Sequence, residues 1–237
     1  MVSLIITNDT ENMSSYLRQL LEKTAYTNYE ILLPARFENQ INIQNDRLRY
    51  VSTETRHGMI QAAKGEYVAL LNAGLVPTKN DWLKELMNIG QQETSGLVTG
   101  RVVDARYRVE TVGVSVDTDK GRLLYPEKGT PGKSLGYYYR IALPRNIQAA
   151  TEDCLLFNKQ LYLNLEGINE NLGKEWMGVD LSLQFASAGK RNVYVSYAIL
   201  KADEKMQNHD KKGSYKELAE KWTAEALVDP YRNPKHL

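Results

Sequence analysis

Short apolar segments alternate with helical patterns through the first half of this 237-residue chain, and this alternation constrains the fold more than any other feature. Runs at 2–6, 29–33, 48–51 and 66–71 have the length of strands and are bounded by polar residues. Parallel strands that are buried on both faces have continuous apolar runs of this kind, and helices cover both faces of their sheets. We therefore expect an α/β fold with a mostly parallel central sheet and flanking helices.

The second half of the chain is less regular but still contains strand and helix patterns. It shows no internal repeat, no low-complexity tract and no convincing linker, which favours one domain over residues 1–237. In chain order, the pattern predicts strands at 97–103, 109–116 and 122–125, a helix at 176–188, a strand at 192–197 and a closing helix at 215–227.

The composition excludes several functional classes. A net charge of +1, with no dense stripe of lysine and arginine, gives no electrostatic basis for binding nucleic acid. No apolar run reaches the roughly 18 residues that a membrane-spanning helix needs. Cys154 is the single cysteine, so an internal disulfide is impossible, which is compatible with a reducing compartment. We expect a soluble cytoplasmic protein.

The loops that follow the strands are the predicted ligand sites. In open α/β sheets, ligands bind beyond the carboxyl ends of the parallel strands. The segments after Ile6, Leu33 and Leu71 therefore form the predicted pocket, beginning with Thr7.

Short motifs spread over nearly the whole chain occur in the order of one known family. They are Ser3-Leu4-Ile5-Ile6, Asn28-Tyr29-Glu30-Ile31-Leu32, Ala63-Lys64-Gly65-Glu66-Tyr67, Pro77, Asp81-Trp82-Leu83, Val112-Gly113-Val114, Gly136-Tyr137, Arg145-Asn146-Ile147, Gly167-Ile168-Asn169-Glu170, Val179-Asp180-Leu181, Gly189–Val195 and Asp229–Pro234. Together they resemble family 2 glycosyltransferases of the GT-A fold, especially the bacterial rhamnosyltransferase-like branch that builds surface polysaccharides. The resemblance implies a nucleotide-binding half at 1–104 and an acceptor half with a C-terminal helix at 105–237. It leaves open that this domain belongs to a longer protein.

The resemblance also shows which metal ligands are missing. In this family an acidic Asp-x-Asp-like motif follows the strand at 66–71, and its Mg or Mn ion stabilises the departing diphosphate. Here the acidic positions hold Asn72, Ala73 and Gly74, which offer at most a neutral amide oxygen. We expect no metal or other cofactor, and the segment is equally consistent with a surface turn.

The general base that the family places just before Val179 is missing too. That position is Gly178. Asp180 lies about 200° around a helix from Gly178, so we expect it to cap or brace the fold. Glu175 would share the face of Gly178 and is either a substitute base or a solvated acid. Glu175 and Asp180 remain weak catalytic candidates.

Two further positions differ from the family in the same way. The acid that holds the nucleobase is replaced by Ala35, followed by Arg36, and the late histidine that helps to hold the metal is replaced by Ala202. Arg36 and Arg56 lie near the predicted nucleotide side, where they contact phosphates or are simply solvated. The implied nucleotide-sugar pocket is therefore Thr7, Ala35, Arg36, Arg56, Asn72 and Gly74.

On the acceptor side, the resemblance implies contacts from Tyr138, Arg140, Asp153 and Gly178. The rings of Tyr137–Tyr139 offer apolar faces and hydroxyls for sugars, or they anchor their own loop to the core. Asp153 occupies a position where the family prefers a small residue, and it belongs either to a new polar site or to an ordinary strand entry.

Three functional hypotheses follow. The first is a catalytically silent domain of polysaccharide assembly that binds a nucleotide-sugar, a glycan, a neighbouring domain or a protein partner. The second is an active metal-independent glycosyltransferase, in which basic side chains stabilise the leaving phosphate and Glu175 or Asp153 is the base. The third is a structural domain with a collapsed pocket.

Overall fold

A computed structural model describes residues 1–202 and 215–232, and within these ranges ten strands pair into one sheet. Strands β8 and β9 form a separate hairpin. The strands are β1 Val2–Thr7, β2 Tyr29–Pro34, β3 Leu48–Val51, β4 Tyr67–Asn72, β5 Leu75–Pro77, β6 Ser95–Val103, β7 Val109–Thr111, β8 Ser115–Asp117, β9 Arg122–Leu124, β10 Arg145–Asn146, β11 Cys154–Asn158 and β12 Arg191–Ala202. The helices are α1 Met13–Glu22, α2 Arg56–Ala62, α3 Trp82–Gly90, α4 Lys159–Leu163, α5 Lys174–Ser187, α6 Tyr215–Lys221 and α7 Ala224–Leu227.

The strand order of the main sheet brings the expected loops together. The order is β10-β12-β6-β11-β4-β1-β2-β3, and β1 pairs in parallel with both β2 and β4. Thr7 pairs with Asn72 at the carboxyl ends of β1 and β4. The loops that follow these two strands therefore lie side by side at one edge of the sheet.

Both faces of the sheet are covered, as the apolar runs predicted. All six residues of β1 are buried. Because successive side chains of a strand point to opposite faces, Leu4 and Ile5 belong to two different hydrophobic clusters. Leu17 and Leu20 of α1 lie in the same cluster as Leu4. The expectation of a mostly parallel sheet with flanking helices is confirmed. No helix within the described ranges has the length and apolar character to cross a bilayer.

The continuous strand predicted at 109–116 is wrong. It is divided into β7, which pairs with β6, and β8, which pairs with β9. Gly113 lies between them with a φ of 97°, a backbone conformation that side chains other than glycine rarely adopt. A Cβ atom there would lie 2.8 Å from Cγ2 of Ile147, so this sharp change of direction needs glycine.

The closing helix predicted at 215–227 is also divided. The chain leaves the helix after Lys221, and Thr223 begins α7 by accepting a hydrogen bond from the Ala226 amide through its side chain. Threonine is a favoured helix N-cap, and this local preference competes with helix continuation.

A polar cluster connects β1, β2, β3 and the loop before β4. It lies at the opposite end of these strands from the loops that follow β1 and β4. The buried carboxylate of Glu30 accepts hydrogen bonds from Ser3 Oγ (2.6 Å), Arg49 Nε (2.8 Å) and the Lys64 amide (2.7 Å). Burial alone would raise the pKa of Glu30, but these hydrogen bonds and the Arg49 charge outweigh it and lower that pKa.

We expect Glu30→Gln to destabilise the fold at neutral pH. A lowered folded-state pKa means that the carboxylate stabilises the protein above its unfolded pKa, about 4.3, and that this stability is lost as the pH falls through the folded value. The variant should lose about 1–3 kcal/mol in urea unfolding at pH 7, the usual penalty for a broken buried hydrogen bond.

The loss should shrink as the pH is lowered below about 4. Glu22→Gln, an exposed change on α1, is the control and should have little effect at any pH. An equal loss for Glu30→Gln at all pH values would contradict the assignment of a charged Glu30.

Candidate functional site

A chain of hydrogen bonds connects the polar side chains at the carboxyl ends of β1 and β4. Asn8 Nδ2 donates to Asn72 Oδ1 (2.9 Å), and Asn72 Nδ2 donates to Asp153 Oδ1 (3.2 Å). Thr151 Oγ1 donates to the second oxygen of Asp153 (2.7 Å). Thr7 is buried beside Asn72, and its hydroxyl has no hydrogen-bond partner among the described residues. The structure thus brings Thr7, Asn72 and Asp153 together.

These residues do not form the metal clamp of the family. A hard divalent cation needs several oxygen ligands. Asn72 Oδ1 already accepts a hydrogen bond from Asn8, Ala73 is buried in the apolar core, and Gly74 has no side chain. Within 1–202 and 215–232, no group of three or more His, Cys, Asp or Glu residues could hold a metal ion. Ala202 is buried and pairs with Leu75.

The turn after β2, where the resemblance implies a nucleobase contact, contains an ion-paired arginine. Ala35 begins a short 3-10 turn after β2, and Arg36 follows it. The guanidinium of Arg36 pairs with Asp9 (2.8 Å) and Glu54 (2.5 Å) and lies over the Phe37 ring. The hydrogen bond to Glu54 raises the pKa of Arg36, and the hydrogen bond to Asp9 raises it further. The positive charge of Arg36 is therefore compensated within the protein.

The positive charge of Arg56 is also balanced by a carboxylate of the protein. It is the first residue of α2 and forms a hydrogen-bonded ion pair with Glu152, which is almost completely buried. Burial raises the pKa of Glu152, and Arg56 opposes that rise. The contact joins residues 96 positions apart, so local sequence patterns contain no signal for it. Arg56 offsets a buried carboxylate in this structure.

Helix α5 touches the neighbouring backbone at Gly178. A Cβ atom built there would lie 2.5 Å from the Ala150 carbonyl oxygen, 2.8 Å from the Thr151 carbonyl carbon and 2.9 Å from the Glu152 amide nitrogen. Such distances lie far inside van der Waals contact. The position that the resemblance gives to the general base therefore has no room for a side chain unless the helix or the 150–152 segment moves.

The two acids nearest to Gly178 on α5 have other partners. Asp180 is fully buried and accepts hydrogen bonds from Gln184 (2.8 Å), the Trp222 indole (2.8 Å) and the Lys221 ammonium (3.0 Å). Through these contacts it joins α5 to α6 and the turn that follows. All of these donors belong to the protein, and they surround both carboxylate oxygens.

Glu175 lies at the beginning of α5, beside Tyr125. Burial raises the pKa of the Tyr125 hydroxyl, and the Glu175 charge and hydrogen bond raise it further. Tyr125 lines a cavity of about 510 Å³, whose lining residues lie between 113 and 232, in the half that the resemblance assigns to the acceptor. The structure therefore places Glu175 next to this cavity, whereas Asp153 lies beside Asn72.

The cavity contains one of the predicted acceptor residues. Arg140 lines it together with Tyr137, whereas Tyr138 is 82% exposed and is not part of the lining. The segment 229–232 completes the wall. The resemblance predicted Arg140 as an acceptor contact, and that role stays a prediction. Sequence reasoning missed the cavity because the walls come from segments that are distant in the chain.

Comparisons with known proteins give the following relatives. No family model matches the chain. A curated protein of Sinorhizobium fredii (strain NBRC 101917 / NGR234), the uncharacterized protein y4gI, is 24% identical over 266 aligned positions, which cover 99% of this chain and 29% of that protein. The chain therefore spans less than a third of the length of this relative.

Among solved structures, similar chains are glycosyltransferases crystallised with nucleotides or nucleotide-sugars. The mannosyltransferase PcManGT of Pyrobaculum calidifontis, in complex with GDP-Man and Mn²⁺, has a TM-score of 0.57 at 14% identity over 88% of this chain and 58% of its own. GalNAc-T7 with UDP, GalNAc and Mn²⁺ has a TM-score of 0.64 at 14% identity over 85% and 43%. TarS of S. aureus with UDP has a TM-score of 0.51 at 12% identity over 85% and 60%. The chain therefore has the GT-A fold of glycosyltransferases.

Proposed function

We propose that this chain is a family 2 glycosyltransferase-like domain of bacterial surface-polysaccharide assembly that binds a glycan or a neighbouring domain and does not transfer sugar. The observation that carries the proposal is the packing at Gly178, where the backbone of residues 150–152 occupies the space of a side chain. Deprotonation of an acceptor hydroxyl requires a base within hydrogen-bond reach. No base can reach the acceptor from this position.

The donor side of the cleft supports the same proposal. Transfer from a nucleotide-sugar develops charge on the leaving diphosphate, and cations must stabilise that charge. Arg36 and Arg56 are each paired with carboxylates, and Asn72 is bonded to Asn8 and Asp153. Both arginines that the resemblance implies on the nucleotide side therefore already have carboxylate partners within the protein.

The length of the curated relative supports a role beside other domains. This chain matches 29% of that protein. A domain that has lost its chemistry but kept its surface can position a neighbouring catalytic domain or its glycan. We place this role in the cytoplasm, where the single thiol of Cys154 stays reduced.

Asp153 favours the second hypothesis, an active metal-independent transferase. Its carboxylate lies beside Asn72, at the end of β4 where the donor would bind, and it is bonded to neutral groups from Asn72 and Thr151. A carboxylate in this place is a candidate base, although both of its oxygens already accept hydrogen bonds.

Calorimetric titration with UDP- and GDP-sugars, with and without Mn²⁺, tests the proposal. We expect no metal-dependent binding and no turnover, because Asn72, Ala73 and Gly74 stand at the implied metal position and Gly178 stands at the implied base position. Tight donor binding that requires Mn²⁺ would contradict the proposal. Turnover in the presence of a chelator that is lost in Asp153→Asn would replace it with the metal-independent transferase.

A second prediction concerns the packing of α5. We expect Gly178→Ala to reduce the free energy of unfolding by about 1–3 kcal/mol, because the added methyl group overpacks the contact with Ala150 and Thr151. Urea unfolding measures the change. Ser187→Ala, an exposed change on the same helix, should stay within about 0.5 kcal/mol of the wild type.

Gly178→Asp restores the acid of the family and should produce no transferase activity, since its carboxylate cannot be accommodated in the native packing. A stable Gly178→Asp protein with transferase activity would show that α5 can move away from residues 150–152, and the proposal would fail.

A further inference from the structure

The cavity in the acceptor half has the dimensions of a small-molecule site. Its volume of about 510 Å³ lies within the range of roughly 300–1,000 Å³ that ligand pockets usually occupy. The β8–β9 hairpin, the segment 137–140, the residues around β10 and the segment 229–232 form its walls. This is the cavity lined by Tyr125 that was described above. Asn72 and Asp153 are not among its lining residues, so it is separate from the polar side chains at the ends of β1 and β4.

Two arginines in this cavity lack a carboxylate partner among the described residues. The Arg145 guanidinium donates to the backbone carbonyl oxygens of Val112 (2.8 Å), Arg140 (3.4 Å) and Asn146 (3.5 Å). Arg140 lies over the Tyr137 ring at 5.7 Å. Neither arginine belongs to an ion pair between described residues. Burial lowers the pKa of Arg145, and the nearby Arg140 charge lowers it further.

The acids of the lining are engaged by other groups. Glu127 Oε1 accepts a hydrogen bond from the Tyr137 amide (2.9 Å). Asp229 accepts hydrogen bonds from the Ser115 hydroxyl and from the Tyr231 amide (2.9 Å). These contacts hold the walls of the cavity together. The lining itself holds three arginines, Arg232 being the third, and two carboxylates. Glu175 lies beside the lining, where it is hydrogen-bonded to Tyr125.

Aromatic rings lie beside the arginines. Tyr137 and Tyr231 line the cavity, and each is 44% exposed, so their rings remain accessible to a ligand. A tyrosine ring offers an apolar face to the C–H groups of a sugar and a hydroxyl for hydrogen bonding. Arginine binds carboxylates and phosphates through two parallel N–H donors.

We propose that this cavity binds an anionic sugar, a monosaccharide unit with a carboxylate or phosphate group. Arg140 and Arg145 hold the anionic group, and the rings of Tyr137 and Tyr231 lie against the sugar. This inference names the glycan class for the proposed binding function, and it holds whether or not the domain transfers sugar.

Titration followed by amide NMR spectra of the 237-residue chain tests this site. The probes are glucuronate, glucose 6-phosphate, glucose and inorganic phosphate. We expect one or both charged sugars to shift the amides of Gly113, Ser115 and Ile147, with an affinity at least about tenfold above that of glucose or phosphate, equivalent to about 1.4 kcal/mol. The charged sugar that binds more tightly, glucuronate or glucose 6-phosphate, shows whether the site prefers a carboxylate or a phosphate.

Equal binding of glucose would overturn the role of the arginines. Inorganic phosphate that binds as tightly as either sugar would overturn the role of the rings. Shifts confined to other parts of the chain, or no shifts with any probe, would overturn the site itself.

Arg140→Gln is the variant of choice, because Arg140 makes fewer structural hydrogen bonds than Arg145, whose side chain holds three backbone carbonyls. It should weaken the binding of the preferred charged sugar at least about tenfold, as expected for a charge-assisted contact, with an unchanged melting temperature. The exposed Arg106→Gln serves as the control and should bind like the wild type. Unchanged binding in Arg140→Gln would refute the assignment.

The same spectra separate this inference from the proposed function. A nucleotide-sugar that binds together with Mn²⁺ beside β1 and β4 would shift the amides of Asn8 and Asn72. That result would contradict the proposal of a silent domain. The charged sugars test the cavity independently, through Gly113 and Ser115.

Discussion

The contact between helix α5 and the backbone of residues 150–152 determines which side chain position 178 can hold. At Gly178 the helix approaches so closely that the Ala150 carbonyl occupies the place of a Cβ atom. Two residues further along, Asp180 fixes α5 to α6 through Lys221 and Trp222. Helix α5 is thus fixed by the backbone contact at Gly178 and by the hydrogen bonds of Asp180. Position 178, where the resemblance implies a general base, is therefore packed against the protein.

Two groups of arginines differ in how their charges are balanced. Arg36 and Arg56, which the resemblance assigns to the nucleotide side, are paired with carboxylates of the protein itself. In the cavity of the acceptor half, Arg140 and Arg145 have neutral partners among the described residues. A cation without a counter-ion in a partly buried cavity favours an anionic ligand, whereas a paired cation has less to gain from one. The cavity lined by Arg140 and Arg145 is therefore the better candidate for an anionic ligand.

The sequence predicted the fold class, whereas the roles of the site residues stay predictions. Alternating apolar runs were sufficient for β1 to β4, because strand length and burial are local properties. For the central strand β11 the sequence offered only a possible strand entry at Asp153, because its pairing with β4 and β6 depends on distant segments. The residues at the expected metal position were identified, but the hydrogen bond from Asn8 and the walls of the cavity depend on tertiary contacts. Side-chain partners of this kind have no periodicity in sequence.

The central claim is that the residues of the two described ranges, 1–202 and 215–232, offer no ligand set for a cation beside a donor diphosphate. A crystal soaked with a UDP-sugar and Mn²⁺, with diffraction data collected at the manganese absorption edge, tests it most directly. We predict no anomalous peak coordinated by protein oxygens next to Asn72 and Asp153. A manganese ion bound there by protein oxygens and by the diphosphate would contradict the claim.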